Sequence, residues 1–152
     1  QNLIVRINLI IGFPEENWAD IFATLFYGLK MAIRGIDEVP LFIFSPYPGT
    51  EIFRKLEDEK KIFLNDNYFL ALTSLNSAYF STQIVCFNPK INKRLLGTLR
   101  MLFMVTNYLV SYLFFPKRIL RTLKNIFSPH DAATVVERRL KDLLPKRKTS
   151  EY

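Results

Sequence analysis

The side chains that could take part in chemistry are few. Among 152 residues the chain has one cysteine, Cys86, and one histidine, His130. A single cysteine excludes a disulfide framework within the chain, and together with one histidine it argues against a zinc or haem site built from these residues alone. Ser45 and Thr50 have no histidine near them in sequence, which disfavours a serine hydrolase. The remaining candidates are the carboxylates of Glu15–Glu16, which follow a glycine–proline turn.

Two strand-like segments each end at a turn rich in glycine and proline. The first, 1–11, is a nearly continuous apolar run that stops at Gly12-Phe-Pro14. The second, 39–44, stops at Ser45-Pro-Tyr-Pro-Gly49. Such apolar runs are typical of strands that are buried on both faces in a parallel sheet. In parallel sheets ligands bind beyond the carboxyl ends of the strands, which is where both turns lie.

The residues between and after these strands predict helices. Apolar residues recur at helical spacing over 18–33, including Trp18, which we expect in the core. Asn17 suits the N-cap of this helix, and Gly35 stands where it would end. A second, short helix is predicted to begin after Thr50. The strand, helix, strand, helix order belongs to the α/β class.

The basic residues are concentrated in the middle of the chain. The net charge is +7, yet residues 1–66 hold 7 basic and 10 acidic residues. Residues 67–130 hold 8 basic residues and no Asp or Glu, and residues 131–152 hold 6 basic and 4 acidic residues. In the central segment the cations are spaced through Phe, Leu and Ile. This pattern favours an anionic lipid surface over a nucleic acid as partner.

Beyond residue 66 the pattern turns helical. Residues 69–82 are ambiguous, and 90–100 read as a basic helix start. Residues 101–115 carry no charge, and 117–127 alternate apolar and basic residues at helical spacing. Ser128-Pro-His-Asp131 predicts the start of a last helix, with His130 near its cap. That helix would carry an apolar stripe of Val135, Val136, Leu140, Leu143 and Leu144, before a basic tail.

The uncharged segment has two interpretations. A membrane-spanning helix needs about 20 apolar residues, and 101–115 provides fifteen. Extending it back to Leu95 includes Arg100, which is costly in a bilayer. One interpretation is therefore an interfacial helix or short hairpin, with 117–127 lying on anionic headgroups. The other is a buried helix that packs against the βα part of the chain.

The two turns resemble those of the radical S-adenosylmethionine (SAM) superfamily, and most of all its cobalamin-binding subgroup. That subgroup carries an "IIGFPGET"-type turn after the fifth barrel strand and a "PYPGT"-type turn after the sixth. Here the corresponding stretches are "LIIGFPEEN" over 9–17 and "FSPYPGT" over 44–50, at the usual separation and with a helix between them. The resemblance covers roughly residues 1–60.

The match to the family motifs is partial. The superfamily pattern G-x-I-x-G-x-x-E falls on residues 8–15, where Ile10, Gly12 and Glu15 match and Asn8 replaces the first glycine. The glycine of the "PGET" turn has become Glu15. The cluster-binding C-x-x-x-C-x-x-C motif of the family is not in this sequence.

The resemblance implies a fold and a set of cofactors. Residues 1–62 would form the last two βα units of a partial (β/α)6 barrel, and 63–152 a mainly α-helical, basic and hydrophobic extension. The whole protein would use SAM, a [4Fe–4S] cluster and cobalamin, with the ligands of the cluster and of cobalamin outside this chain. In the family, reductive cleavage of SAM gives a 5′-deoxyadenosyl radical. That radical, or a methylcobalamin, then functionalises an unactivated carbon.

The resemblance also implies residues that bind cofactor or substrate. Ile10 and Gly12 would pack against the adenine of SAM, although a buried strand and a tight turn would look the same. Glu15 would position SAM. Alternatively, Glu15 and Glu16 only stabilise the start of the following helix, where acidic side chains are favourable. Tyr47 and Gly49 would line the mouth of the pocket, or serve only as a scaffold turn. No catalytic residue and no metal ligand is expected in this chain.

We therefore expect the carboxyl-terminal fragment of a cobalamin-dependent radical SAM enzyme. Its partners would be the missing N-terminal part of the same polypeptide, expected before Gln1, and a small-molecule or lipid-like substrate. An anionic membrane surface is a further expected partner, and nucleic acid is not. The expected location is the cytoplasm, at the inner face of the membrane. The alternative is a non-catalytic, membrane-associated interaction module.

Overall fold

The structure, a computed structural model, describes residues 3–66, 68–69, 86–127, 134, 137, 140 and 141. Its elements in chain order are β1 (Leu9–Ile11), α1 (Trp18–Ile33), β2 (Leu41–Ile43), α2 (Glu51–Asp58), α3 (Lys93–Phe114) and α4 (Lys117–Phe127). Most of the ambiguous segment 69–82, the helix start at 128–131 with His130, and the basic tail lie outside the described residues.

The two strands form a parallel pair. Leu9 lies opposite Leu41, and Ile11 lies opposite Ile43, so both strands end at the same edge. β1 is shorter than the predicted 1–11. Among the described residues upstream of it, regular strand pairing gives way to an isolated bridge between Arg6 and Glu38. The prediction of burial on both faces is wrong for β1. Alternate residues point to opposite faces, and while Ile11 is fully buried, Ile10 is 46% exposed.

Helix α1 forms where the sequence predicts it, for the predicted reasons. The Asn17 side chain accepts hydrogen bonds from the backbone N–H groups of Ala19 and Asp20. The Asp20 carboxylate in turn accepts from the Asn17 N–H at 3.0 Å, which completes a capping box. At the other end Gly35 adopts φ +96°, the left-handed conformation that ends helices. These local signals are independent of the rest of the chain.

One core joins the two strands to α1 and α3. It contains Ile11, Leu41 and Ile43 of the strands, together with α1 and α3 residues. The helices approach closely at Gly28, where an added Cβ would lie 2.5 Å from Phe103 Cζ. The core therefore continues across the predicted domain boundary after residue 62.

Helix α3 is a single helix of 22 residues, Lys93–Phe114, that joins most of the two predicted segments, 90–100 and 101–115. One side of it packs against α1 and β2, as the buried-helix interpretation predicts. Arg100 is on that side, and its Nε donates to the Leu41 carbonyl at 3.0 Å. Among the described residues no single helix is long and apolar enough to cross a membrane, and α3 and α4 meet that requirement only as a pair bent by 116°.

Helix α4 is fastened to the β-strand part by ion pairs to Asp37. Arg121 donates to the Asp37 carboxylate at 2.9 Å, and Arg118 lies 3.4 Å from it. Burial opposes ionisation of Asp37. The hydrogen bonds from Arg121 and the Val5 N–H, with the charges of both arginines, outweigh it and lower the pKa of Asp37. Two of the four basic residues of α4 thus face the protein.

Candidate functional site

The candidate site is the edge where both strands end. Because β1 and β2 are parallel and adjacent, the two glycine–proline turns lie side by side. The Phe44 N–H donates to the Ile11 carbonyl at 2.8 Å, which continues the pairing past the strands. The rings of Phe13 and Phe44 then pack against each other, tilted by 32°, with 4.4 Å between centroids. The turns therefore form one continuous rim.

Glu16 organises the first turn. Its carboxylate accepts hydrogen bonds from the backbone N–H groups of Gly12 and Phe13. Glu15, which the family motif singles out, instead points to solvent and pairs with Lys55 of α2 at 3.2 Å. The sequence does not distinguish the two adjacent carboxylates. In the structure Glu16 makes the hydrogen bonds of the turn, and Glu15 makes the ion pair to Lys55.

Asn88 ties the first turn to the chain before α3. It is 3% exposed, and its side-chain amide donates to the carbonyls of Phe13 at 2.7 Å and Glu16 at 2.6 Å. Its side-chain oxygen accepts from the Lys90 N–H at 2.9 Å. All three polar bonds of this buried side chain are directed at the backbone, so Asn88 fixes the shape of the rim. The sequence pattern did not single out Asn88.

The second turn is held by local bonds and by Tyr68. The Thr50 hydroxyl donates to the Tyr47 carbonyl at 2.8 Å, and the Tyr68 hydroxyl donates to the Pro46 carbonyl. Burial, and to a smaller extent the neighbouring Tyr47, raises the pKa of Tyr68. The Tyr47 ring is exposed. Tyr68 precedes the ambiguous segment, and nothing in its sequence context indicated this role.

Glycines at the two turns face different surroundings. A Cβ on Gly12 would lie 2.8 Å from Leu96 Cδ2, so the space beside this glycine is filled by α3. Gly49 adopts φ +92°, and nothing lies within 4 Å of the position its Cβ would take. The group that lies close to Gly12 is therefore a side chain of α3. The space beside Gly49, in contrast, is empty.

A cleft of about 450 Å³ lies beside the first turn. It is bounded by that turn, by α2 and by residues 87–89; its lining includes Phe13, Pro14, Glu15, Ile52, Lys55 and Phe87. Of the five predicted binding residues only Glu15 lines it. Ile10 lies on the exposed face of β1, and Tyr47 and Gly49 lie at the second turn. The structure thus places the five along one rim, but not around one cavity.

The implied cofactors make different demands on the residues of this chain. Ile10 offers exposed apolar surface next to the rim, which suits an adenine ring. A [4Fe–4S] cluster does not fit, since the chain has a single cysteine. Cys86 is half-buried against the core, with Sγ 3.6 Å from the Ile91 carbonyl. Among the residues that the structure describes, no three His, Cys, Asp or Glu side chains group as a metal site.

Comparison of this chain with protein-family models, with curated proteins and with solved structures found no match.

Proposed function

We propose that this chain is the carboxyl-terminal part of the barrel of a cobalamin-dependent radical SAM enzyme. The observation that carries the proposal is the register of β1 and β2, which brings the two motif turns together at one sheet edge. Turns at the carboxyl ends of adjacent parallel strands are where enzymes of this architecture bind their ligands. The substrate would be a small or lipid-like molecule, and the place of action the cytoplasmic face of a membrane.

Each rim residue has a distinct task in this proposal. Ile10 gives the adenine of SAM an apolar surface, and Glu16 holds the backbone of the first turn in shape. Tyr47 and Gly49 border the open side of the second turn. When bound, SAM supplies the radical chemistry of the family. The cysteines for the cluster and the site for cobalamin must come from other parts of the same polypeptide.

The exposed face of β1 supports the same proposal. Parallel sheets occur almost only with both faces covered, yet Ile10 is nearly half exposed on the face opposite the core. In a (β/α) barrel that face points to the interior, and residues near the carboxyl end of a strand border the ligand site at the rim. Further strands of the same barrel would provide the missing neighbours.

The experiment that tests the proposal is to determine the coding sequence upstream of Gln1. We expect an open reading frame that encodes C-x-x-x-C-x-x-C after a predicted strand, preceded by a further domain. A reading frame that contains no such cysteine motif contradicts the proposal. It would leave the non-catalytic module, for which the exposed apolar residues of α3 are the favouring observation.

A further inference from the structure

The outward side of α3 is apolar. Four exposed leucines recur there at intervals of seven, seven and four residues, which places them on one stripe of the helix. Phe22 and Phe26 of α1 border this stripe, because they line one groove of about 170 Å³ together with Leu99 and Leu102. We call this surface the apolar face; it consists of Phe22, Phe26, Leu95, Leu102, Leu109 and Leu113.

Three polar side chains of α3, those of Arg100, Asn107 and Ser111, are buried on the other side of the helix. Arg100 bonds to the Leu41 carbonyl, and the Asn107 amide donates to the Gly28 carbonyl at 3.4 Å. The Ser111 hydroxyl accepts from Arg118 at 2.6 Å. A helix on a water-exposed surface turns its polar residues outward. Helices that contact lipid have the opposite arrangement, with polar residues facing the protein and leucines facing outward.

The charged residues of α3 and α4 have one sign. Residues 86–127 contain no Asp or Glu. Lys93 and Arg94 are exposed at the start of α3, Lys117 is exposed just beyond its end, and Lys124 is exposed farther along α4. Cations close to an apolar surface are attracted to anionic lipid headgroups. A charge pattern of this kind favours an anionic surface over a neutral protein partner.

We propose that the apolar face docks onto the surface of an anionic bilayer, with α3 lying in the plane of the interface. Leu95 and Leu113 are separated by roughly 27 Å along the helix, so the face is long enough for an extended contact. Side chains of such helices reach about 5–10 Å into the headgroup and acyl boundary. Phe22 and Phe26 of α1 enter with them. Arg118 and Arg121 take no part, because they bind Asp37.

Vesicle flotation of the full chain, with and without phosphatidylglycerol in phosphatidylcholine vesicles, tests the proposal. We expect flotation with the anionic vesicles and a loss of binding as salt is raised, since screening weakens the attraction of the cations. Trp18 is the only tryptophan, and its ring lies 6.2 Å from that of Phe22. Lipids brominated on the acyl chain should therefore quench its fluorescence.

Paired variants locate the contact. Leu102→Gln with Leu109→Gln should lower the partition coefficient at least about tenfold, because each leucine loses its burial in lipid. Phe63→Gln with Leu64→Gln changes two exposed apolar residues outside the apolar face and should bind as wild type does. The circular dichroism spectrum checks that both variants fold.

Three results would overturn the proposal. The first is wild-type chain that stays in the soluble fraction with anionic vesicles at low salt. The second is equal binding by the two double variants. The third is wild-type chain that forms a dimer in light scattering, does not float, and becomes monomeric in the Leu102→Gln, Leu109→Gln variant. In that case a second copy of the chain, not lipid, covers the apolar face.

Discussion

Substitution of Asn88 by aspartate probes the link between the first turn and α3. The change keeps the size of the side chain and replaces an amide donor by a carboxylate. In the native chain that amide donates to the carbonyls of Phe13 and Glu16 at 2.7 and 2.6 Å. After the substitution, carboxylate oxygens and carbonyl oxygens would face one another at these distances in a buried position.

The expected loss follows from these contacts. Each hydrogen bond contributes about 0.5–1.5 kcal/mol net, and a buried acceptor left unsatisfied costs about 1–3 kcal/mol. An uncompensated buried charge adds to this. Asn88→Asp should therefore lower the free energy of unfolding by about 3 kcal/mol or more at neutral pH. The loss should shrink in acid, where protonation of the new carboxyl removes its charge and restores one donor.

Asn92→Asp is the matched control. Asn92 caps α3 with its side-chain oxygen, which accepts from the Arg94 N–H at 2.9 Å. Aspartate caps helices as well as asparagine does, so stability should change by less than about 0.5 kcal/mol. Urea unfolding followed by Trp18 fluorescence measures both variants. Equal stabilities for Asn88→Asp and Asn92→Asp would refute the structural role of Asn88.

Three further predictions concern the turn, the helix contact and the ion pairs. Glu16→Ala should lower the free energy of unfolding by about 1–3 kcal/mol, because its charged acceptor serves two backbone N–H groups, whereas the exposed Glu15→Ala should leave it unchanged; equal losses in urea titrations would contradict the assignment. Gly28→Ala should lower the melting temperature, since the added methyl collides with Phe103 at a cost of about 1–3 kcal/mol, which exceeds a gain in helix propensity of about 1 kcal/mol; a raised melting temperature would disprove this contact. Because the pKa of Asp37 is lowered on folding, its contribution to stability is complete above its ordinary value of 3.8 and is lost as pH falls through the lower folded value; acid titration should detect this loss, and Asp37→Asn should abolish it.

Local signals in the sequence predicted where helices begin and end better than they predicted which residues are buried. Asn17 and Gly35 set the ends of α1 through bonds within a few residues of themselves, so the sequence pattern alone located that helix. The exposure of Ile10 could not be predicted in this way. It depends on which layers cover each face of the sheet, and the apolar run of 1–11 contains no information about that.

Long-range polar contacts were beyond the reach of sequence reasoning. Asn88 bonds to residues 72 and 75 positions earlier, and no spacing rule links such residues. Arg118 and Arg121 looked like part of a cationic outer face of α4, yet Asp37 draws both toward the protein. The roles of Glu15 and Glu16 separate only when the turn is folded, since both are carboxylates at the start of a helix.

Reductive cleavage of SAM by the polypeptide encoded by the whole reading frame is the decisive assay for the proposed rim. With its iron–sulfur cluster reconstituted without oxygen and a reductant present, it should release 5′-deoxyadenosine. Ile10→Gln should raise the KM for SAM about tenfold or more, because the adenine loses an apolar contact. Ile33→Gln, a control of similar exposure at 45%, should match wild type. No release of 5′-deoxyadenosine, or equal KM values for the two variants, would contradict the proposed role of this rim.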